Sequence, residues 1–224
     1  MRKVITITIL IFYSSISMSQ ELKGKWLMMK DGDTYSVPTI PILEFTNNTI
    51  NFYDFDEPDY EINQNTYVVK GDYIEIKRNA KEEKERFEFL EENVLKIYHN
   101  VIYNERDTVL PSFYVRVLPT KTTLKKEEIE EVIYSGNFNN KKIEIKFRRK
   151  IEEYLAEVKK ESKSLNYLKN EFFIEKLDDT FVVSSYGNGK RELILLIDEV
   201  DSESIILSGF IKKPYRFKLN KIAD

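Results

Sequence analysis

The sequence predicts a mainly β protein: an antiparallel meander in its first half, then a β-rich α+β part with two short helices. Three observations carry this reading. Apolar and polar residues alternate in short runs from Lys23 to Leu118. Turn-forming residues separate those runs at intervals of about ten. After Pro119 the apolar period changes in two places from two to about 3.6.

The first run, Lys23 to Lys30 (KGKWLMMK), ends at Asp31-Gly32-Asp33. Ile42 to Phe45 and Ile50 to Phe55 flank Thr46-Asn47-Asn48-Thr49, where asparagine tolerates the positive φ of a tight hairpin. Thr66 to Lys70 and Tyr73 to Arg78 flank Gly71-Asp72, and Arg86 to Leu90 and Val94 to Tyr103 flank Glu91-Glu92-Asn93. Val109 to Leu118 completes the set, and Lys81 to Glu85 (KEEKE) reads as a mixed-charge hairpin tip. Leu43, Phe45, Ile50, Phe52, Ile74 and Ile76 fall on one face and Glu44, Asn51 and Glu75 on the other, the pattern of a half-buried sheet. A meander of this kind closes as a barrel or stacks as a sandwich.

Beyond Pro119, Thr123 to Tyr134 reads as a helix with Thr123 as N-cap and Gly136 as terminator. Ile151, Tyr154, Leu155 and Val158 mark a second, amphipathic helix. Strands are expected at 141–147, 171–177, 180–186, 190–200, 204–210 and 215–221, with Gly187-Asn188-Gly189 as a hairpin turn. The composition places a domain boundary near Thr120, giving domains 20–119 and 120–224. No Gly/Ser-rich linker separates them, so one continuous domain is the alternative.

The N-terminus reads as a signal peptide over residues 1–19. Arg2 and Lys3 precede the apolar run Val4 to Tyr13, and Ser17 and Ser19 stand at −3 and −1 of a cut before Gln20. The expected location is therefore outside the cytoplasm, in the periplasm or secreted. With no cysteine in the chain, neither a disulfide nor a lipid-modified cysteine is available. Removing Arg2 and Lys3 from the 35 basic residues leaves 33 against 38 acidic, a net of −5, which argues against a nucleic-acid partner. No later stretch has the length of a transmembrane helix.

Gly24-Lys25-Trp26, just past the predicted cut, resembles the G-x-W opening of lipocalin and calycin barrels. The resemblance covers residues 22–118, in the manner of lipocalin-like domains of exported bacterial proteins. It implies a barrel in which Gly24 turns the chain tightly, Trp26 plugs one end, and Arg116 from the last strand packs across the indole. These three would be structural closure residues, not ligand contacts. The T-D-Y motif of longer lipocalins is missing. Taken alone, Gly24 and Trp26 also fit an edge glycine and a core tryptophan of another barrel or sandwich. Ser135-Gly136-Asn137-Phe138 and Tyr215 to Leu219 echo the opening and closing segments, so residues 120–224 are a possible degenerate repeat or an unrelated α+β domain.

Sites of chemistry are sparse. His99, the single histidine, shares the apolar face of Leu95 and Ile97, so it is expected as a satisfied core or lumen-rim residue rather than a general base. One histidine and no cysteine make a zinc site improbable in composition, and no metal or cofactor is expected. The acidic run from Asp54 to Glu61 lacks the EF-hand pattern and reads as a solvated connection. Lys141, Lys142, Lys146, Arg148, Arg149 and Lys150 form a basic concentration that alternates with apolar residues, like a solvated strand face. No phosphate loop or nucleophile elbow is present. The function expected is that of a non-enzymatic exported binder of a small hydrophobic ligand, with aromatics such as Phe52, Phe87 and Phe89 lining the barrel. The alternative is an interaction or inhibitor module for an envelope protein or a surface polymer, with a packed barrel.

Overall fold

Strand β1 (Gly24–Asp31) is hydrogen-bonded along both edges, and this one fact closes the first half of the molecule into a ring. In this computed structural model the described residues are 22–32, 34–35, 41–55, 63–78, 81–103, 105–161, 170–210 and 213–222. The predicted signal segment and residues 56–61 of the acidic run lie outside them. The chain divides after Val117 into two compact units.

In the first unit β1 is followed by β2 (Thr34–Tyr35), β3 (Pro41–Phe45), β4 (Thr49–Asp54), β5 (Asn63–Lys70), β6 (Tyr73–Arg78), β7 (Lys81–Glu91), β8 (Val94–Tyr103) and β9 (Arg106–Arg116). From β3 onward each strand pairs antiparallel with the next. β1 pairs with β3 through Gly24 to Leu27 and with β9 through Trp26 to Asp31, while β2 extends the far end of β1. The result is a closed eight-stranded antiparallel barrel with β2 appended. Its interior holds one apolar cluster that includes Leu22, Trp26, Phe45, Ile74, Phe87 and Leu95, all but inaccessible to solvent.

The second unit contains α1 (Lys126–Glu130), β10 (Ile133–Phe138), β11 (Lys141–Lys146), α2 (Ile151–Glu161), β12 (Glu171–Leu177), β13 (Thr180–Gly187), β14 (Lys190–Val200), β15 (Ser204–Phe210) and β16 (Pro214–Lys221). Its sheet runs β11-β10-β16-β15-β14-β13-β12, every neighbour antiparallel. Seven alternating directions leave the two end strands pointing the same way. Where they meet, Phe147 and Phe172 form a parallel bridge, and the Arg148 N–H donates to the Phe172 carbonyl at 2.8 Å. Like-directed strands need a crossover rather than a hairpin, and α2 supplies it. Ile151, Tyr154 and Val158 of α2 pack on Phe173 and Tyr186. The opposite face of this half-barrel gathers Tyr134, Ile174, Leu195, Ile197, Ile205 and Leu219, with Ile129 of α1 against them.

Two local expectations are corrected. The helix read over Thr123 to Tyr134 is one short turn, with the Glu128 carboxylate accepting from the Lys125 N–H at 2.7 Å. Ile133 and Tyr134 instead begin β10, paired with Lys146 and Lys221, because the β-branched and aromatic side chains gain a cross-strand core there. Gly136 is accordingly not a helix terminator but a strand residue. The KEEKE segment is not a hairpin tip either, since Lys81 to Glu85 is the first half of β7, paired with β6.

Candidate functional site

The barrel interior can be followed along cross-strand neighbours, and each row passes from apolar to polar members, the first of them reaching the apolar Leu110 beyond its polar pair. One row runs Val69, Ile74, Glu85, and continues beside it through His99 and Leu110. Others run Tyr67, Ile76, Glu83; Phe87, Ile97, Ser112, Asp31; and Phe45, Ile50, Asn65. The tilt of strands in a closed barrel makes such rows climb from one end to the other. The apolar members lie at the end where β1 begins, and the polar members lie toward the end where β1 stops.

The apolar end is built around Trp26, which is fully buried. Its indole N–H donates to the Leu22 carbonyl at 2.7 Å, folding the residues before β1 under the barrel. Arg116 is its register partner on β9, with the guanidinium carbon 4.3 Å from the ring centroid. Arg116 Nη1 also donates to the Lys23 carbonyl at 2.8 Å, so the cation ties the entering chain to the last strand. Gly24 has φ +117°, a conformation that side-chain-bearing residues rarely adopt. Phe89 stands 5.9 Å from Trp26 and from Phe87, centroid to centroid.

The polar end contains a three-membered chain. His99 Nδ1 lies 2.9 Å from Glu85 Oε1, and Nε2 lies 3.1 Å from the Tyr114 hydroxyl. The pairing that satisfies all three has Nδ1–H donating to the carboxylate and the phenol donating to Nε2. Beside it the Ser112 hydroxyl donates to Asp31 Oδ1. Accessibility rises along the row: Ile74 is 0% exposed, the Glu85 side chain 9% and the His99 side chain 20%. Asn65 differs from these groups, because its Nδ2 is buried and has no hydrogen-bond partner.

The chain of carboxylate, imidazole and hydroxyl has the order of a base held between an orienting acid and a hydroxyl. Here, however, the hydroxyl belongs to a tyrosine that is 1% exposed. Both imidazole nitrogens are occupied, so the arrangement fixes the ring more than it offers it to a substrate. No group of three histidine, aspartate or glutamate side chains gathers to hold a metal ion among the described residues.

His99 was legible in the sequence as a lumen residue, but its partners were not. Glu85 was hidden in a charged run. The signal that could have found it is the alternation Glu83, Glu85, Phe87, Phe89, which carries the apolar face of β7 back into KEEKE. The basic concentration of the second unit is dispersed: Lys141, Lys142 and Lys146 are exposed on β11. Arg148, Arg149 and Lys150 pair with Glu157, Glu131 and Glu153. The second unit also buries Arg191, which donates to both oxygens of Glu175 at 3.1 and 3.0 Å and to the Ser184 hydroxyl at 3.2 Å.

The closed eight-stranded antiparallel barrel of the first unit is consistent with a calycin-type, lipocalin-like fold. Comparison of the chain with protein-family models and with curated protein sequences finds no match. No helix among the described residues is long and apolar enough to cross a membrane.

Proposed function

We propose that this is a non-enzymatic, exported protein that takes a small ligand with an apolar body into the polar end of its barrel. The observation that carries the reading is the gradient along the lumen rows. A barrel stabilised only by packing fills its interior with apolar side chains. Here the row from Ile74 to His99 turns polar as it becomes solvent-accessible. Fixed polar groups above an apolar floor are the makeup of a small-molecule site. Trp26, Gly24 and Arg116 serve the opposite, closed end. Export rests on the N-terminal sequence, with its basic start, apolar run and small residues before Gln20.

Native mass spectrometry of the protein from its own host is the test. A small molecule should co-purify and, on release and re-addition, shift the resonances of His99, Glu85 and Ile97. A protein that is ligand-free from its host, with an interior that no apolar probe enters, would sink the binding reading. N-terminal sequencing of the same sample should begin at Gln20, and a sample retaining residues 1–19 would overturn export.

A further inference from the structure

Helix α2 packs Tyr154 and Val158 against the tip of the β13–β14 hairpin. Gly187 pairs with Lys190, so Asn188 and Gly189 are the two residues of the turn. Their φ angles are +51° and +77°, the paired positive values of a type I′ hairpin. Asn188 is exposed, and no other asparagine in the chain is followed by glycine.

In an Asn-Gly dipeptide the glycine nitrogen is a nucleophile toward the side-chain carbonyl carbon of the asparagine, and no Cβ on the glycine hinders the approach. The nitrogen must first give up its proton. Here the strand ladder ends at Gly187 and Lys190, and the Gly189 N–H donates instead to the Tyr154 hydroxyl at 3.3 Å. That hydroxyl donates onward to the Tyr186 carbonyl at 3.4 Å, and Tyr154 is 2% exposed. A Cβ on Gly189 would lie 3.1 Å from Val158 Cγ1, so α2 covers the nitrogen side of the turn while the Asn188 amide faces water. The β10–β11 hairpin is an internal control. Asn139 and Asn140 form its turn with φ angles of +49° and +62°, but each is followed by a residue with a side chain.

We propose that Asn188 is a site of spontaneous deamidation and that Tyr154 restrains it. Gly189 N bonds to Asn188 Cγ, the side-chain nitrogen leaves as ammonia with the peptide proton, and a succinimide remains. Water then opens the ring at one of its two carbonyls. Opening at the main-chain carbonyl frees the main-chain carboxylate and gives isoaspartate; opening at the other gives aspartate. Either product places a carboxylate where a neutral amide stood, and isoaspartate adds a methylene to the main chain of a two-residue turn.

The test incubates the full mature chain, folded, at mildly alkaline pH and follows each asparagine by peptide mapping with mass spectrometry. Asn188 should convert before any other asparagine, with Asn139 and Asn140 intact. Tyr154→Phe keeps the ring and removes the acceptor, so Asn188 should convert about fivefold faster, the worth of one hydrogen bond. Hydrogen exchange in the unaltered protein is a second readout that does not depend on how the variant folds. The Gly189 N–H should exchange more slowly than an exposed amide. Another asparagine converting first overturns the inference, as does Asn188 still intact when the urea-unfolded chain has converted. An unchanged rate in Tyr154→Phe, or a Gly189 N–H that exchanges freely, removes the restraint and overturns it too.

Discussion

The two units close a curled antiparallel sheet with different strand numbers, and the difference decides how each is finished. Eight alternating strands leave the last running opposite to the first, so β9 can pair antiparallel with β1 along six residues of β1, from Trp26 to Asp31, with one bulge. Seven cannot, so β11 and β12 meet through one parallel bridge and a helix carries the chain between them. In both units the first strand pairs with the last: β1 with β9 and β10 with β16. Both first strands also hold glycine two positions before an aromatic. The glycines do unlike things. Gly24 is needed for its positive φ. A Cβ on Gly136 would come within 2.9 Å of the Lys218 carbonyl oxygen, so it is needed for the close approach of β10 to β16. The aromatics differ as well. Trp26 is sealed at a barrel end, whereas Phe138 is half-buried against Tyr215 and Phe217 at centroid distances of 4.9 and 4.6 Å.

Breaking the comparison at the aromatics should give the largest effect. Trp26→Ala should cost about 3–5 kcal/mol, the range for truncating a buried aromatic. Phe138→Ala should cost about 1 kcal/mol, since much of its ring surface already meets water. Urea denaturation followed by resonances of each unit checks both, and equal losses would refute the contrast.

Polar networks come next. Arg191→Leu should cost about 3 kcal/mol, because Arg191 is 1% exposed and Glu175 is left without its partner. His99→Leu should cost about 1–2 kcal/mol, because water reaches the stranded carboxylate from the accessible end. A larger loss at His99 than at Arg191 would mean that the lumen network is as dry as the ion pair of the second unit.

The glycines should separate by a smaller margin. Gly136→Ala is expected to cost about 2 kcal/mol, since a backbone atom must move. Gly24→Ala should cost about 1 kcal/mol, because its Cβ would find only Arg116 Nη1 at 3.7 Å and the penalty is conformational. Thermal unfolding of the two variants measures the order.

The smallest expected effect is a gain. The Tyr134 hydroxyl is buried without a partner, and burial, aided by the charge of Asp201, pushes its pKa from 10.0 up to about 12. Tyr134→Phe should therefore stabilise the protein by about 1 kcal/mol near neutral pH. A raised phenol pKa means that the unfolded chain ionises first. The native protein should thus lose stability above pH 10, and the variant's advantage should widen toward pH 12. An advantage constant across that window would show that the phenol titrates alike in both states.

Much of the fold could be read from local pattern. Val94–Tyr103, Glu171–Leu177, Lys190–Val200 and Ser204–Phe210 have the limits expected from alternation and turn residues, because both signals are short-range. The helix preceding β10 was overextended because Ile129, Val132 and Ile133 satisfy a helical period as well as a strand start. Only the pairing of Ile133 with Lys146 selects the strand. The site was less legible. KEEKE has no apolar residue to mark its inward face, so Glu85 looked like any solvated acid until β6 and β8 fixed its register.

By itself the sequence determined the strand-rich class, most hairpins, the inward face of His99 and the G-x-W opening, since periods of two and tight turns are properties of a few consecutive residues. Only the tertiary structure decided that eight strands close and seven need a crossover, and that Asp31 meets Ser112 across 81 positions of chain. Those outcomes depend on register and ring closure. Both are set by which distant strands bury their apolar rows together, and no local window contains that information.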